Sequence, residues 1–200
     1  MLEPYHTRGV VEAGCDEAGR GCIAGPVVAA AVILPAGFNH PEINDSKKLT
    51  PSKRKELRTL IEKEAVSTGI GIADQGEIDH INILNASILA MHRAVEKLDP
   101  VPDHLLVDGN RFKPFMNISY TCIVRGDALY ASIAAASILA KVHRDAIMET
   151  LHGEHPCFGW DRNMGYPTRQ HRLALLEHGP TSYHRRSFRL LDEQMRINFS

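Results

Sequence analysis

Apolar and polar positions along the chain sort into short apolar runs and longer helix-spaced stretches. Residues 10–15 (VVEAGC) form a run that predicts a strand, and residues 25–34 (GPVVAAAVIL) predict a longer one. The glycine-rich segment between them reads as a tight connection. Residues 35–50 are rich in Pro, Asn and Asp and read as loop. Thr50 before Pro51 supplies a hydroxyl cap and a proline at the first helical position, so a helix is expected from there to about Val66. Residues 68–74 alternate as a strand does, and residues 77–98 carry helix-spaced apolar positions that suit two helices. Residues 103–110 and 117–124 predict two more strands. A long helix with many small residues is expected over 128–151, a loop over 155–166, and a helix over 167–179 that Gly179 ends. Strands come first and helices mix in later, which predicts an α/β domain with one central mixed sheet and the alanine-rich helix lying against it.

Composition narrows the class without naming a function. The chain has 200 residues, 44% hydrophobic and 24% charged, enough for one domain with a sizeable core or one domain with a small appendage. A net charge of -1 argues neither for nor against a nucleic-acid partner, so local clusters must decide. Cys15, Cys22, Cys122 and Cys157 form no Cys-x-x-Cys pair and have no histidine at finger spacing, which predicts reduced thiols in a cytoplasmic protein and no structural zinc. The first ten residues do not read as a signal peptide, and no apolar run is long enough to span a bilayer. A monomer is the default expectation.

The chemistry concentrates in GCDEAGRG, residues 14–21, where Asp16 and Glu17 stand side by side among glycines. Gly14 and Gly19 have the spacing of a phosphate-binding loop, but Arg20-Gly21 replaces Lys-Ser/Thr, and two acids inside the loop would repel a nucleotide. One reading is a solvated acidic turn. The other is a divalent-metal site, since hard cations take carboxylate oxygens. Asp108 ends an apolar run and precedes Gly109, and Asp127 follows the run at 117–124 through Arg125-Gly126, so three strand ends each deliver acid beside glycine. Two metals about 3.5–4 Å apart would activate a water and stabilise a leaving oxygen in phosphodiester hydrolysis; one metal, with the other acids handling protons, stays open. Lys47 and Lys48, in a polar loop, suit phosphate contacts, whereas residues 53–58 read as a solvated helix face. Arg185 and Arg186 lie between aromatics in YHRRSF, which suits backbone and stacking contacts or a structural cap. Ser137 and Lys141, four apart on one face of the long helix, are reasonable phosphate contacts.

Taken together, GCDEAGRGCIAGPVVAAAVIL, NDSKKL, VDGN, RGD, AASILAKVHRD and GYPT…HGPTSYHRRSF resemble the successive motifs of the bacterial ribonuclease HII (type 2 ribonuclease H) family, in the family's order from about residue 10 to 188. The resemblance implies a ribonuclease H-like fold over residues 1–155 and a C-terminal helical substrate-binding segment over 156–200. It also implies cleavage of the RNA strand of RNA/DNA hybrids and incision 5′ to single ribonucleotides in duplex DNA, leaving 3′-hydroxyl and 5′-phosphate ends. Asp16, Glu17, Asp108 and Asp127 match the family's four metal-binding acids, for Mg²⁺ or Mn²⁺. Gly19, Arg20 and Gly21 match its substrate-sensing loop, where glycine lets the backbone approach the 2′-hydroxyl. Tyr166 matches a tyrosine that stacks near the RNA–DNA junction. Met164, Arg125 and Cys22 depart from the commoner lysine, lysine and proline. Asp145 reads as structural, paired with a nearby Arg or His.

Overall fold

A computed structural model describes residues 2–38, 40–44, 46 and 49–191. Lys47, Lys48 and residues 192–200 therefore lie outside the described residues. Five strands, β1 (Glu12–Ala18), β2 (Val27–Ile33), β3 (Ser67–Ala73), β4 (His104–Asp108) and β5 (Ser119–Ile123), form one sheet in the order β3-β2-β1-β4-β5. The β1–β2 and β2–β3 pairs are antiparallel, and β1–β4 and β4–β5 are parallel. The helices are α1 (Pro51–Glu64), α2 (Gln75–Val95), α3 (Ala131–Glu154), α4 (Trp160–Asn163) and α5 (Arg169–His178).

Alternation along the strands divides the core in two. Ala13 and Cys15 of β1, with Val27, Ala29 and Ala31 of β2, pack against Ala86, Ala90 and Ala94 of α2. The intervening residues Ala30 and Val32 face the other way, onto α1 and the alanines of α3. Gly14 lies on that second face, where a Cβ would collide with the backbone of Ser132 and Ile133; only a glycine lets α3 come so close to β1. A third core joins Ile23 and Ala24, just before β2, to Met148 and Leu151 of α3 and to Phe158, Trp160, Ala174 and Leu175.

Local signals explain the element boundaries. The Thr50 hydroxyl accepts from the Lys53 N–H, with Pro51 at the first helical position. Asp74 and Glu77 form a capping box at the start of α2. The expected pair of helices is realised as one element broken at Asn82, whose φ is 65° and whose side chain caps the second half through the Asn85 N–H. Two expectations need correction. β1 continues through Asp16 and Glu17, which pair with Ala30 and Ala29 instead of following the strand as a turn. The loop over 155–166 contains a short 3₁₀ turn and the four residues of α4.

Candidate active site

The parallel pair β1–β4 ends on one edge of the sheet. Cys15 sits in register with Val107, so Asp16 and Asp108 are brought side by side at the strands' C-terminal ends, where α/β sheets carry their sites. Asp16, Glu17 and Asp108 line one cleft of about 270 Å³ with Gly19, Arg20, Gly21, Lys141 and Tyr166. Asp127 is buried in the 3₁₀ turn Gly126–Ala128, four residues beyond β5 and not at its end. That turn is tied to the cleft by the Gly126 N–H, which donates to Asp108 Oδ1 at 2.7 Å.

Strand geometry answers how Asp16 and Glu17 tolerate each other: neighbours on a strand point to opposite faces. Asp16 turns toward α3, where the Ser137 hydroxyl donates to it. Glu17 turns toward the face covered by α2 and meets Arg20 at 3.1 Å. Burial, then the charges of Glu17 and Asp108, push the Asp16 carboxyl well above its usual range, against the opposing bonds from Ser137 and the Glu17 backbone. Burial also raises Glu17, and Arg20 partly offsets it. Among the described residues no three His, Cys, Asp or Glu side chains are gathered into a ready-made cage. The donor set is nevertheless all carboxylate and partly desolvated. Such a set fits a hard divalent cation, whose charge removes the penalty that raises these groups.

The loop after β1 is held from beneath by two buried arginines. Arg144 of α3 donates to the carbonyls of Pro26 (3.0 Å), Met164 (2.8 Å) and Ala24 (3.2 Å). Arg185 donates to the carbonyls of Gly25 (2.9 Å), Arg20 (3.0 Å) and Pro26 (3.1 Å). Gly19 has φ +100°, and a Cβ there would strike the Arg144 guanidinium. Its conformation and its closeness to Arg144 both require glycine. Tyr166 is 44% exposed, with its ring edge near Gly21.

Two expectations change, those for Arg185 and Arg54. Arg185 has no accessible surface, and its guanidinium donates to three carbonyls, so it shapes the loop and offers nothing to a phosphate. Ser137 lines the same cleft as Lys141, with its hydroxyl shared between Asp16 and Ser46 Oγ at 2.9 Å. Arg54 is not on a solvated face: it is buried and donates to the carbonyls of Ser46 (3.0 Å) and Leu49 (2.7 Å). Lys141 lines the cleft and pairs with Asp145 at 2.6 Å, and Asp145 also faces Arg54 at 3.7 Å, so its short partner is a lysine and its expected arginine partner lies farther off. Arg186 is exposed, with its backbone N–H bonded to Asp79. Two of the departing residues meet: the Cys22 thiol donates to the Met164 carbonyl at 3.5 Å and also contacts the Tyr166 side chain.

Arg144 and the buried histidines His171 and His184 went unnoticed in the sequence. Arg54 had a signal: with Leu57 and Ile61 it occupies positions i, i+3 and i+7, the apolar stripe of α1. Arg144 likewise shares a face with Met148 and Leu151.

The ribonuclease HII family model matches residues 13–191. The chain is 56% identical over 200 residues to the ribonuclease HII of Bacteroides thetaiotaomicron, covering all of both chains. Among solved structures, the ribonuclease H2 of Pyrococcus horikoshii superposes with a TM-score of 0.76 at 25% identity, covering 94% of this chain and 98% of that one. Bst-RNase HIII, solved in complex with Mn²⁺, gives a TM-score of 0.67 at 16% identity over 94% of this chain and 70% of its own, a likeness of fold.

Proposed function

The chain belongs to the ribonuclease HII family, and from that premise we propose that it incises duplex DNA 5′ to single embedded ribonucleotides as well as cutting longer hybrids. Its enzyme class is ribonuclease H, a hydrolase acting on RNA/DNA hybrids, and the family is divalent-metal dependent. The finer reading rests on one observation: three acids, a glycine loop held at its carbonyls and an exposed tyrosine share one cleft.

In this reading Asp16, Glu17, Asp108 and Asp127 hold Mg²⁺ or Mn²⁺, two ions during turnover. When bound, the ions supply charge stabilisation at the scissile phosphate and an activated water. The protein's own groups do the selecting. Gly19–Gly21 bring backbone to the sugar edge, where the 2′-hydroxyl is a recognition handle and not the nucleophile, so the ends are 3′-hydroxyl and 5′-phosphate. Tyr166 stacks at the junction. Arg20, half-exposed beside Glu17, turns to a phosphate once Glu17 is otherwise neutralised. Lys141 and Arg186, with Lys47 and Lys48, contact the backbone. Residues 156–191, packed on the third core, serve as the substrate-binding segment.

The test uses a labelled DNA duplex with one ribonucleotide, an all-DNA duplex and an RNA/DNA hybrid, each with wild type and Asp16→Asn in Mg²⁺, Mn²⁺ or EDTA. One metal-dependent nick 5′ to the ribonucleotide, absent with the variant, is the expected result. Cutting of all-DNA duplex would make the enzyme a general nuclease. Hybrid cutting without the single-ribonucleotide nick would overturn the roles given to Gly19–Gly21 and Tyr166.

A further inference from the structure

His171 and His184 are almost wholly buried, and the reaction as proposed uses neither. Their hydrogen bonds order the protons. The Thr181 backbone N–H donates to His184 Nδ1 at 3.0 Å, so this nitrogen is bare and a neutral His184 carries its proton on Nε2. The Trp160 indole N–H, which can only donate, reaches His171 Nε2 at 3.1 Å, so that nitrogen is bare too. His184 Nε2 lies 3.1 Å from the same atom and supplies a second donor. The His171 proton is left on Nδ1, 2.9 Å from the Tyr166 carbonyl oxygen, which can only accept. The chain of donors runs one way, from Thr181 through His184 and His171 to Tyr166. Burial favours the neutral form of both rings and pulls His184 down to about 4.

One end of this chain is held by the segment that follows Gly19–Gly21, and the other reaches Tyr166 in the cleft. His184 bridges Ala24, the Tyr183 carbonyl accepts from the Gly25 N–H at 2.9 Å, and the Arg185 N–H donates to Ile23 at 2.9 Å. His184 therefore rides on the backbone that leads out of Gly19–Gly21. Tyr166 belongs to the loop between α4 and α5, where the Thr168 N–H is the second donor to its carbonyl. We propose that His171 is a positioning residue: its Nδ1–H sets Tyr166 against the Gly19–Gly21 loop, and His184 dictates which His171 nitrogen does so. The inference rests on the reading that Tyr166 packs on the nucleic acid.

Tyr166→Ala, His171→Gln, the double variant and His171→Asn test it in the full chain. Gln reaches the Nε2 position and loses the donor to Tyr166; Asn keeps a donor at the Nδ1 position. Tyr166→Ala should lower kcat/KM on the single-ribonucleotide duplex about tenfold, the scale of one lost base–aromatic stack. His171→Gln should lower it about threefold or more, the double variant no further than Tyr166→Ala, and Asn should recover most of the loss. Multiplying effects in the double variant, or Asn no better than Gln with both folded, would overturn the positioning role while leaving Tyr166 on the substrate. Tyr166→Ala cleaving like wild type removes Tyr166 from the substrate and the positioning role with it. No variant is needed for a further check: ¹⁵N shifts of wild-type His171 should report a proton on Nδ1 at pH 7. A proton on Nε2 instead would sink the idea. Trp160, the single tryptophan, gives one indole N–H resonance to monitor the pair.

Discussion

At the scale of residues, Asp16 is held in a state that costs stability. Its folded carboxyl titrates above the unfolded one, chiefly through burial, so the contribution to stability is full below the ordinary carboxyl range and is lost as pH rises through the raised value. Asp16→Asn should thus melt higher than wild type at neutral pH in EDTA, by about 2–4 °C for each kcal/mol relieved. The gap should close below the ordinary carboxyl range. Mg²⁺ should raise the wild-type melting temperature and move the variant much less, since a ligand stabilises only the form that binds it. Scanning calorimetry across pH, with and without Mg²⁺, checks both signs. The adjacent arginines divide just as sharply. Arg185→Ala strips the donor from three carbonyls, those of Gly25 and Pro26 buried, and should cost about 3 kcal/mol or more. Arg186→Ala should leave the melting temperature unchanged, weaken hybrid binding and shallow its dependence on salt by about one phosphate's worth. Equal thermal effects of the two substitutions would contradict the assignment.

At the scale of elements, what was legible in the sequence is what repeats with a period. The five strands and the four longer helices, α1, α2, α3 and α5, follow from apolar spacing and end signals such as Thr50-Pro51 and Gly179. Asp16, Glu17 and Asp108 were legible because acids beside glycines at strand ends have few structural reasons to exist. Less legible were polar groups inside apolar stripes. Arg54 and Arg144 look like surface arginines until their partners are known: carbonyls of the loop just before α1 for Arg54, and carbonyls of loops remote in sequence for Arg144. Arg185 misled for the same reason: a pair of arginines between aromatics reads as a binding patch, while the neighbouring backbone decides which of them faces solvent. Gly14 gives the element scale its own test. A methyl there meets the backbone of Ser132 and Ile133. Gly14→Ala must push α3 off β1, carrying the Ser137 hydroxyl away from Asp16. Overpacking costs about 1–3 kcal/mol, and activity should fall further than Gly69→Ala makes it, though that substitution is equally crowded, by the Ala94 carbonyl of α2. Similar activity losses in both variants would show that crowding alone, and not the α3–β1 distance, sets the effect.

At the scale of the whole molecule, the C-terminal segment and the sheet domain share their third core and their buried arginines. Truncation after residue 155 would leave Ile23, Ala24, Met148 and Leu151 without Phe158, Trp160 and Leu175, and would remove Arg185 from the loop carbonyls. Residues 1–155 are therefore expected not to fold cooperatively, and the full chain to melt in one transition. The His171–His184 pair contributes to the acid limb of that transition; it is enclosed by Trp160 and Phe158, with His155 as the further charge acting on His184. Unfolded, His184 binds its proton near 6.5; folded, it does so only at about 4, because burial, then His171 and His155, oppose the charge. Between those values the unfolded chain holds more protons, so stability falls as pH falls through the window and levels off below it. The loss from this one group is on the order of 3 kcal/mol, about 6–12 °C in melting temperature for a chain of this size. Thermal melts of wild type and His184→Gln from pH 7 to pH 4 measure it: the wild type should lose stability more steeply, and near-UV signals from Trp160 should disappear together with far-UV helix signals. Parallel slopes would show that His184 is not the titrating group. Separate transitions would show that the C-terminal segment folds on its own, against the shared core.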